Sequence, residues 1–213
     1  TKESLARMMV GRELLTRPKR QRSETGPVYL KIQDVHALSD REVPALRGVN
    51  LEVRAGEIVG LAGVSGNGQR ELAEVITGLR KVTSGQVILL DENILGKSPA
   101  GILRQGLSYI PEERMRDGMI RDFSVSENSI LREHNQAPFS RRSFFDFKAI
   151  SQYADGLVKN FNVKTPSLET PVKNLSGGNI QKLILARELA RKPRVLIAAQ
   201  PTRGLDIGAT EYV

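Results

Sequence analysis

The 213-residue sequence contains no cysteine and no tryptophan, and aromatic residues make up only 5% of it. The absence of cysteine excludes disulfide bonds and cysteine-based zinc sites, and it suits a reducing compartment. The two histidines, His36 and His134, do not have the spacing of metal ligands. No apolar run reaches the roughly 18 residues of a membrane-spanning helix, and the first residues lack the apolar centre of a secretory signal. The sequence therefore predicts neither a transmembrane helix nor a disulfide-stabilised scaffold.

The residues that are present are typical of a globular domain. Hydrophobic residues make up 39% and charged residues 26% of the chain, which is long enough to bury a substantial core. The net charge is +8, and +4 of it comes from residues 1–26, which contain seven Lys and Arg against three Glu. We interpret residues 1–26 as a tail or linker. Contact of this basic segment with nucleic acid or anionic lipid is the alternative.

A Ser-Gly-Gly sequence at the start of a predicted helix is the most specific motif in the chain. Ser176 is a good N-cap, and the glycines allow a ligand to approach the backbone closely. The unpaired N–H groups and the dipole of a helix start favour phosphate, so the motif predicts an anion site. An ordinary capped helix is the alternative. The motif residues are Leu175, Ser176, Gly177, Gly178 and Asn179.

A glycine-rich loop lies earlier in the chain. The apolar run Ile58–Ala62 predicts a buried strand, and the loop then leads into a helix predicted over Gln69–Thr77. The glycine spacing fits a phosphate-binding P-loop, with a plain glycine-rich turn as the alternative. The dinucleotide fingerprint fails because Glu71 stands where its third glycine is required. The candidate nucleotide-binding residues are Gly63, Ser65, Gly66, Asn67, Gly68, Gln69 and Arg70.

Together these motifs resemble those of the ATPases of ABC transporters. Asn174–Asn179 resembles the family signature, and Gly63–Arg70 resembles its Walker A motif. Val195–Asp206 resembles the Walker B strand followed by the D-loop, whose residues here are Gly204, Leu205 and Asp206. The resemblance implies an α/β fold. It would be a P-loop NTPase core with an antiparallel β subdomain and a helical subdomain, truncated at the C-terminus.

The resemblance also implies that this chain has lost the residues that hydrolyse ATP. Gln69 and Arg70 replace the lysine that reaches the phosphates and the hydroxyl that binds Mg²⁺. Ala199 and Gln200 replace an Asp that orients Mg²⁺ and a Glu that activates water. Alanine offers no oxygen and a neutral amide is a poor proton acceptor, so we expect no intact catalytic residue and no metal ligand here. Glu112 stands at the Q-loop position.

Arg70 has two possible roles. Its guanidinium could replace the missing metal ion on a phosphate, because arginine is always charged and binds phosphate oxygens in a fork. Alternatively, it points to solvent or pairs with a glutamate of its own helix.

The resemblance implies a domain organisation as well. Residues 1–26 would end a preceding ATPase domain, and residues 27–213 would form an ABC-type nucleotide-binding domain with a helical subdomain at about 114–190. The segments Gly66–Arg70 and Ala198–Arg203 are most similar to the second ATPase domain of tandem importers for nucleosides or simple sugars. The chain would then be a fragment whose signature serves the ATP site of the preceding domain. ATP would bind weakly or without metal at this P-loop, with Mg²⁺ only at the partner site.

The expected partners are the preceding ATPase domain, transmembrane permease subunits and, indirectly, a solute-binding protein, with no nucleic acid. The expected location is the cytoplasmic face of the cell membrane, as a peripheral protein. A cytosolic ABC protein that binds RNA or ribosomes is the alternative, which the net charge of +8 permits. The concentration of positive charge in the linker and the paired Walker losses favour the asymmetric transporter.

Local patterns predict the remaining elements. Ser124 and Glu127 form a capping box, and Ser98-Pro99 begins a short helix. Strands are expected at Val28–Val35, Val49–Val53, Gly85–Leu90 and Leu107–Glu112. One helix face carries Ile150, Ala154, Leu157, Val158 and Phe161.

Four phenylalanines lie close together in the basic region before that helix. They are Phe139, Phe144, Phe145 and Phe147. We expect them to pack as a core under a loop, with a partner surface as the alternative.

Overall fold

The computed structural model describes residues 24–142, 144–205 and 210, which form two compact units. The sheet unit contains residues 24–109 and 192–199. The helical unit contains residues 110–142, 144–191, 200–205 and 210. Most of the predicted tail lies outside the described residues, as does Asp206 of the predicted D-loop. Within the described part of the chain, no helix is long and apolar enough to cross a membrane.

A four-stranded antiparallel sheet dominates the sheet unit, with the strand order β2-β1-β3-β4. Its strands are β1 (Val28–Leu38), β2 (Pro44–Arg54), β3 (Ser84–Leu89) and β4 (Glu92–Asn93). The three strands predicted for this region are confirmed, although β1 and β2 are longer than expected. This sheet is the antiparallel β subdomain that the resemblance implies.

A bulge interrupts the alternation of buried and exposed residues in the middle of β1. Ile32 and Val35 are both buried although they are an odd number of residues apart, because a bulge around Asp34, with φ at +47°, shifts the alternation. Ile32 pairs with Leu51 of β2, and Val35 pairs with Val49. The bulge therefore lets both halves of β1 contribute side chains to the core.

Two helices and a two-stranded sheet complete the sheet unit. α1 (Gln69–Ile76) follows the glycine loop, and α2 (Pro99–Arg104) begins at the predicted Ser98 cap. β5 (Leu107–Ile110) pairs with β8 (Val195–Ala198). These elements and the antiparallel sheet share one core. Its buried residues include Leu30, Ile32, Val35, Leu72, Ile76, Val87, Leu89, Ile102, Leu107 and Val195.

The prediction of a buried strand over Ile58–Ala62 is wrong. Residues 57–64 have no regular secondary structure, and the side chains of Ile58 and Val64 are 87% and 76% exposed. A strand needs a neighbour that takes up its N–H and C=O groups. The sheets of the described residues place no strand beside this run. An apolar run without such a partner stays irregular.

The helical unit is built around a helix that is buried on all sides. α5 (Gly177–Ala190) buries eight of its residues and is contacted by α3 (Val125–Ser129) and α4 (Phe147–Asn160). The capping box of α3 is confirmed, since the side chains of Ser124 and Glu127 each accept a hydrogen bond from the backbone N–H of the other residue. α4 turns the predicted face, with Ile150, Ala154 and Leu157, into the interior.

Shorter elements connect these helices. A single π-helical turn covers Arg114–Gly118, and a 3₁₀ turn covers Val172–Asn174 just before the signature. A small hairpin, made of β6 (Ser140–Arg141) and β7 (Phe144–Phe145), interrupts the region that we expected to be helical.

The expectation of a phenylalanine core is confirmed for one residue and wrong for three. Phe139 is buried, and its ring lies 4.9 Å from that of Tyr153. Phe144, Phe145 and Phe147 are 80%, 49% and 75% exposed. These three residues lie on the two-residue strand β7 and at the start of α4, and a hairpin this short provides no second layer to cover them.

Candidate functional site

The glycine loop turns into α1 at a position that only glycine fits. Gly68 precedes the helix with φ at +96°, in the left-handed region. A Cβ atom on Gly68 would lie 2.9 Å from the Ala45 carbonyl oxygen and 3.1 Å from Leu46 Cδ2. The helix predicted after the loop is confirmed, and its first turn has no side-chain cap. The loop therefore ends in a strained turn at Gly68, which leads directly into α1 without a side-chain cap.

Gln69, at the predicted position of the P-loop lysine, is hydrogen-bonded to the backbone of its own loop. Its side-chain Nε2 donates a hydrogen bond to the Val64 carbonyl at 3.3 Å. A Cβ atom on Gly63 would overlap the same amide. The neutral amide therefore lies against the loop backbone and supplies no charge for a phosphate.

Arg70 pairs with a glutamate one turn further along α1. Its Nε lies 2.7 Å from Glu74 Oε1, while Glu74 Oε2 accepts from Arg80 Nε, also at 2.7 Å. Arg80 in turn donates to Asp40 Oδ1 at 2.5 Å, and this hydrogen bond holds the pKa of Asp40 below its ordinary value of 3.8. Of the two roles left open for Arg70, the structure has the pairing within its own helix.

The signature begins α5 as a capped helix. Ser176 Oγ accepts hydrogen bonds from Asn179 N at 3.4 Å and from Asn179 Nδ2 at 3.0 Å. Ser176 and Gly177 are exposed, whereas Leu175 is buried. Among the described residues, no hydrogen bond takes up the N–H groups of Gly177 and Gly178. The start of α5 therefore presents the free N–H groups of Gly177 and Gly178 close to Leu175, which is buried.

The segment after β8 is tied to the Q-loop position. Gln200 Nε2 donates to Glu112 Oε1 at 3.0 Å. Arg203 Nη1 donates to the same oxygen and to Glu113 Oε1, the latter at 3.0 Å. Gln200 and Glu112, predicted as separate motif positions, are thus brought into direct contact. Arg203 is a site residue that the motif analysis did not single out.

These residues do not fit a magnesium ion. Ala199 has no side-chain oxygen, and the amide nitrogen of Gln200 is turned towards Glu112. The Glu112 carboxylate is already bound by the Arg203 guanidinium. Magnesium prefers oxygen ligands in an octahedral arrangement. The hard oxygen donors that such an ion requires are therefore missing or already engaged.

Sequence reasoning missed a buried polar cluster beneath the signature helix. Asn128 is fully buried, accepts from Ile120 N and donates to three carbonyl groups. Arg187 and Glu188, both buried on α5, lie 3.0 Å apart, and burial lowers the pKa of Arg187. A sequence signal existed, because two charged residues, Arg187 and Glu188, interrupt the apolar run from Leu183 to Ala190.

The fold and the motifs together define a nucleotide-binding cassette. The model of the ABC transporter family matches residues 46–203, so the chain belongs to that family. Nucleoside import ATP-binding protein NupA of Lactococcus lactis subsp. cremoris is 41% identical over 213 residues, which are 100% of this chain and 42% of that protein. Glucose import ATP-binding protein TsgD13 of Haloferax volcanii is 43% identical over 215 residues, covering 100% of this chain and 39% of that protein. The chain thus spans about two fifths of the length of these relatives.

Solved structures show the same fold. A nucleotide-free ATP-binding cassette from an ABC transporter has a TM-score of 0.71 at 22% identity, covering 87% of this chain and 74% of that one. A dimeric ATP-binding cassette in a post-hydrolysis state, bound to ADP and Pi, has a TM-score of 0.70 at 24% identity, with coverage of 86% and 78%. The ABC ATPase fold inferred from the motifs is therefore confirmed.

Proposed function

We propose that this chain is the second nucleotide-binding domain of a tandem ABC importer ATPase for nucleosides or simple sugars. Its own P-loop is degenerate, and its signature completes the ATP site of the preceding domain. The names of the relatives support the importer class, since they include nucleoside import and glucose import. The observation that carries the division of labour is the contrast within one chain. The signature helix begins at the Ser176 cap with free N–H groups, whereas the Gln69 side chain of the P-loop is hydrogen-bonded to the loop backbone.

The signature acts through its backbone. Two free N–H groups and the positive end of the dipole of α5 meet a phosphate presented from the opposite domain. Such preorganised donors stabilise the negative charge that grows during phosphoryl transfer. The groups that hold Mg²⁺ and activate water belong to the other domain, because Ala199 and Gln200 provide neither. At this chain's own loop, any ATP would bind weakly and without metal.

The proposed partners follow from this arrangement. The relatives are more than twice as long as this chain, which leaves room for the preceding ATPase domain. Residues 27–213 then form the second domain, located at the cytoplasmic face of the membrane. Transmembrane permease subunits receive the energy of hydrolysis, and a solute-binding protein delivers the nucleoside or sugar to them.

Two substitutions in the reassembled tandem protein with its permease test the division between signature and P-loop. Ser176→Arg should reduce ATP turnover by at least about 100-fold, because it places bulk and a misplaced charge where the phosphate docks. Gln69→Ala should leave turnover nearly unchanged, since Gln69 serves only its own loop. The control is Ser98→Arg, the same substitution at the exposed N-cap of α2. Equal damage from Ser176→Arg and Gln69→Ala would refute the asymmetry.

A further inference from the structure

One arginine next to the Q-loop position contacts the signature directly. Arg114 begins the π-helical turn, two residues after Glu112. Its Nη1 donates a hydrogen bond to the Gly177 carbonyl oxygen at 3.1 Å. Gly177 follows the cap residue Ser176 and is the first residue of α5, so this bond holds the first turn of the helix.

The same guanidinium also lies against the segment that follows β8. Gly204 has φ at +63°, and a Cβ atom there would lie 3.2 Å from Arg114 Nη2. A side chain at position 204 would therefore be strained and would press on the guanidinium. The glycine keeps this space open, so one planar group can contact the signature and the loop after β8 together.

Two carboxylates fix the backbone from which Arg114 projects. Glu112 is bound by Gln200 and Arg203, and Glu113 is bound by Arg203 at 3.0 Å. Arg203 and Gln200 thus tether the residues immediately before Arg114. A movement of Gln200 and Arg203 would therefore displace Glu112 and Glu113, which directly precede the Arg114 that contacts the signature.

We propose that Arg114 is a positioning residue of the signature, and that Arg203 sets its position through Glu112 and Glu113. This proposal rests on the function proposed above, because it assigns Arg114 to the anion site formed by α5. Arginine suits the task better than lysine, since its rigid fork can bond one partner while the rest of its plane packs on another. The signature would then be oriented by the loop after β8 rather than by its own helix alone.

The first test measures amide hydrogen exchange in this chain and does not depend on transport. Arg114→Met should raise the exchange rate of residues 179–181 by about tenfold, the change expected from loss of one hydrogen bond to a charged donor. Exchange in β1 and β3 should stay the same. The control is Arg121→Met, because the exposed Arg121 side chain belongs to the same unit and no hydrogen bond or ion pair among the described residues joins it to residues 175–179. Unchanged exchange at residues 179–181, or a uniform rise across the chain, would overturn the proposal.

The second test measures ATP turnover in the reassembled importer. Arg114→Met should lower kcat by about tenfold, while the ATP concentration at half-saturation changes much less, since the nucleotide is held mainly by the other domain. Arg114→Lys should restore only part of kcat, and Arg203→Met should give a smaller loss in the same direction. Full rescue by lysine would overturn the proposal. If Ser176→Arg leaves turnover intact while the exchange result holds, the proposed function fails but the positioning of α5 by Arg114 stands.

Discussion

Gln69 and Arg70 both find their partners within the segment to which they belong. Gln69 donates to Val64 five residues back, and Arg70 pairs with Glu74 four residues ahead. Exposed ion pairs of this kind contribute only about 0–1 kcal/mol, so their effect on global stability is small. Their main effect is that the Gln69 amide and the Arg70 guanidinium have protein partners without a phosphate.

We expect the Asp40–Arg80 pair to make a pH-dependent contribution to the stability of the fold. Because the Arg80 hydrogen bond lowers the folded-state pKa of Asp40 below 3.8, the pair stabilises the fold at neutral pH, and this contribution disappears as the pH falls through 3.8 to the folded-state value. Asp40→Asn should therefore lower the urea midpoint at pH 7 and have progressively less effect towards pH 3. The exposed Glu24→Gln serves as the control. A difference between wild type and Asp40→Asn that does not vary with pH would contradict this reading.

The sequence alone left two roles open for Arg70 and did not predict the contact of Gln69 with Val64. Glu74 lies one turn after Arg70, at the spacing where side chains of a helix meet, and its other oxygen accepts from Arg80. The sequence analysis assigned no partner to Arg80, which reaches Glu74 because the chain turns back after α1 at Gly78, with φ at +74°.

At the scale of elements, the helical unit depends on a buried asparagine. Asn128 Oδ1 accepts from Ile120 N at 2.9 Å, and its Nδ2 donates to the carbonyl groups of Ile120, Phe123 and Ser124 at 3.0 to 3.1 Å. These bonds join the loop before α3 to the helix itself. Loss of the side chain leaves the Ile120 N–H without its partner, which costs about 1–3 kcal/mol, whereas the three carbonyl groups still accept from the backbone N–H groups of Phe123, Val172 and Asn128.

Asn128→Ala should therefore destabilise the chain by about 1–3 kcal/mol, measured as the free energy of unfolding in urea. The control Asn135→Ala removes the same group from an exposed position and should change stability by less than about 0.5 kcal/mol. Similar values for the two variants would show that the buried hydrogen bonds of Asn128 are not required.

Elements defined by short-range signals were predicted well. The Ser98 cap, the Ser124–Glu127 box and the Ser176 cap each involve residues within one helical turn, and the structure contains all three. The run Ile58–Ala62 failed because a strand is stabilised by a neighbour that lies elsewhere in the chain or outside it. The bulge in β1 likewise depends on the register with β2.

For the whole molecule, we expect this chain alone to hydrolyse no ATP. The sequence predicts that the phosphate lysine, both metal ligands and the general base are replaced, and loss of a single preorganised group often costs about 10²–10³ in rate. Phosphate release should therefore equal that of a buffer blank, and Gly68→Asp, which strains the loop beside Ala45, should change nothing. Steady-state release that Gly68→Asp abolishes would show that this P-loop is active.

The overall architecture could be predicted because several motifs occur in the right order. The signature, the glycine loop and the segment after β8 together predicted an ABC cassette, and the family match confirms it. The tether between Arg203, Glu112 and Glu113 could not be predicted in this way. It joins residues about 90 positions apart, and the sequence assigns no pairing to an arginine in a loop.

The exposed run around Ile58 and Val64 affects how the chain behaves in concentrated solution. A short, uncharged apolar segment that joins no sheet of the described residues is a template for sheet formation between molecules. Mutual repulsion between molecules of net charge +8 opposes such association, and added salt screens that repulsion. Low ionic strength is therefore the condition that keeps the chain dispersed, and high salt is the condition that favours its aggregation through this segment.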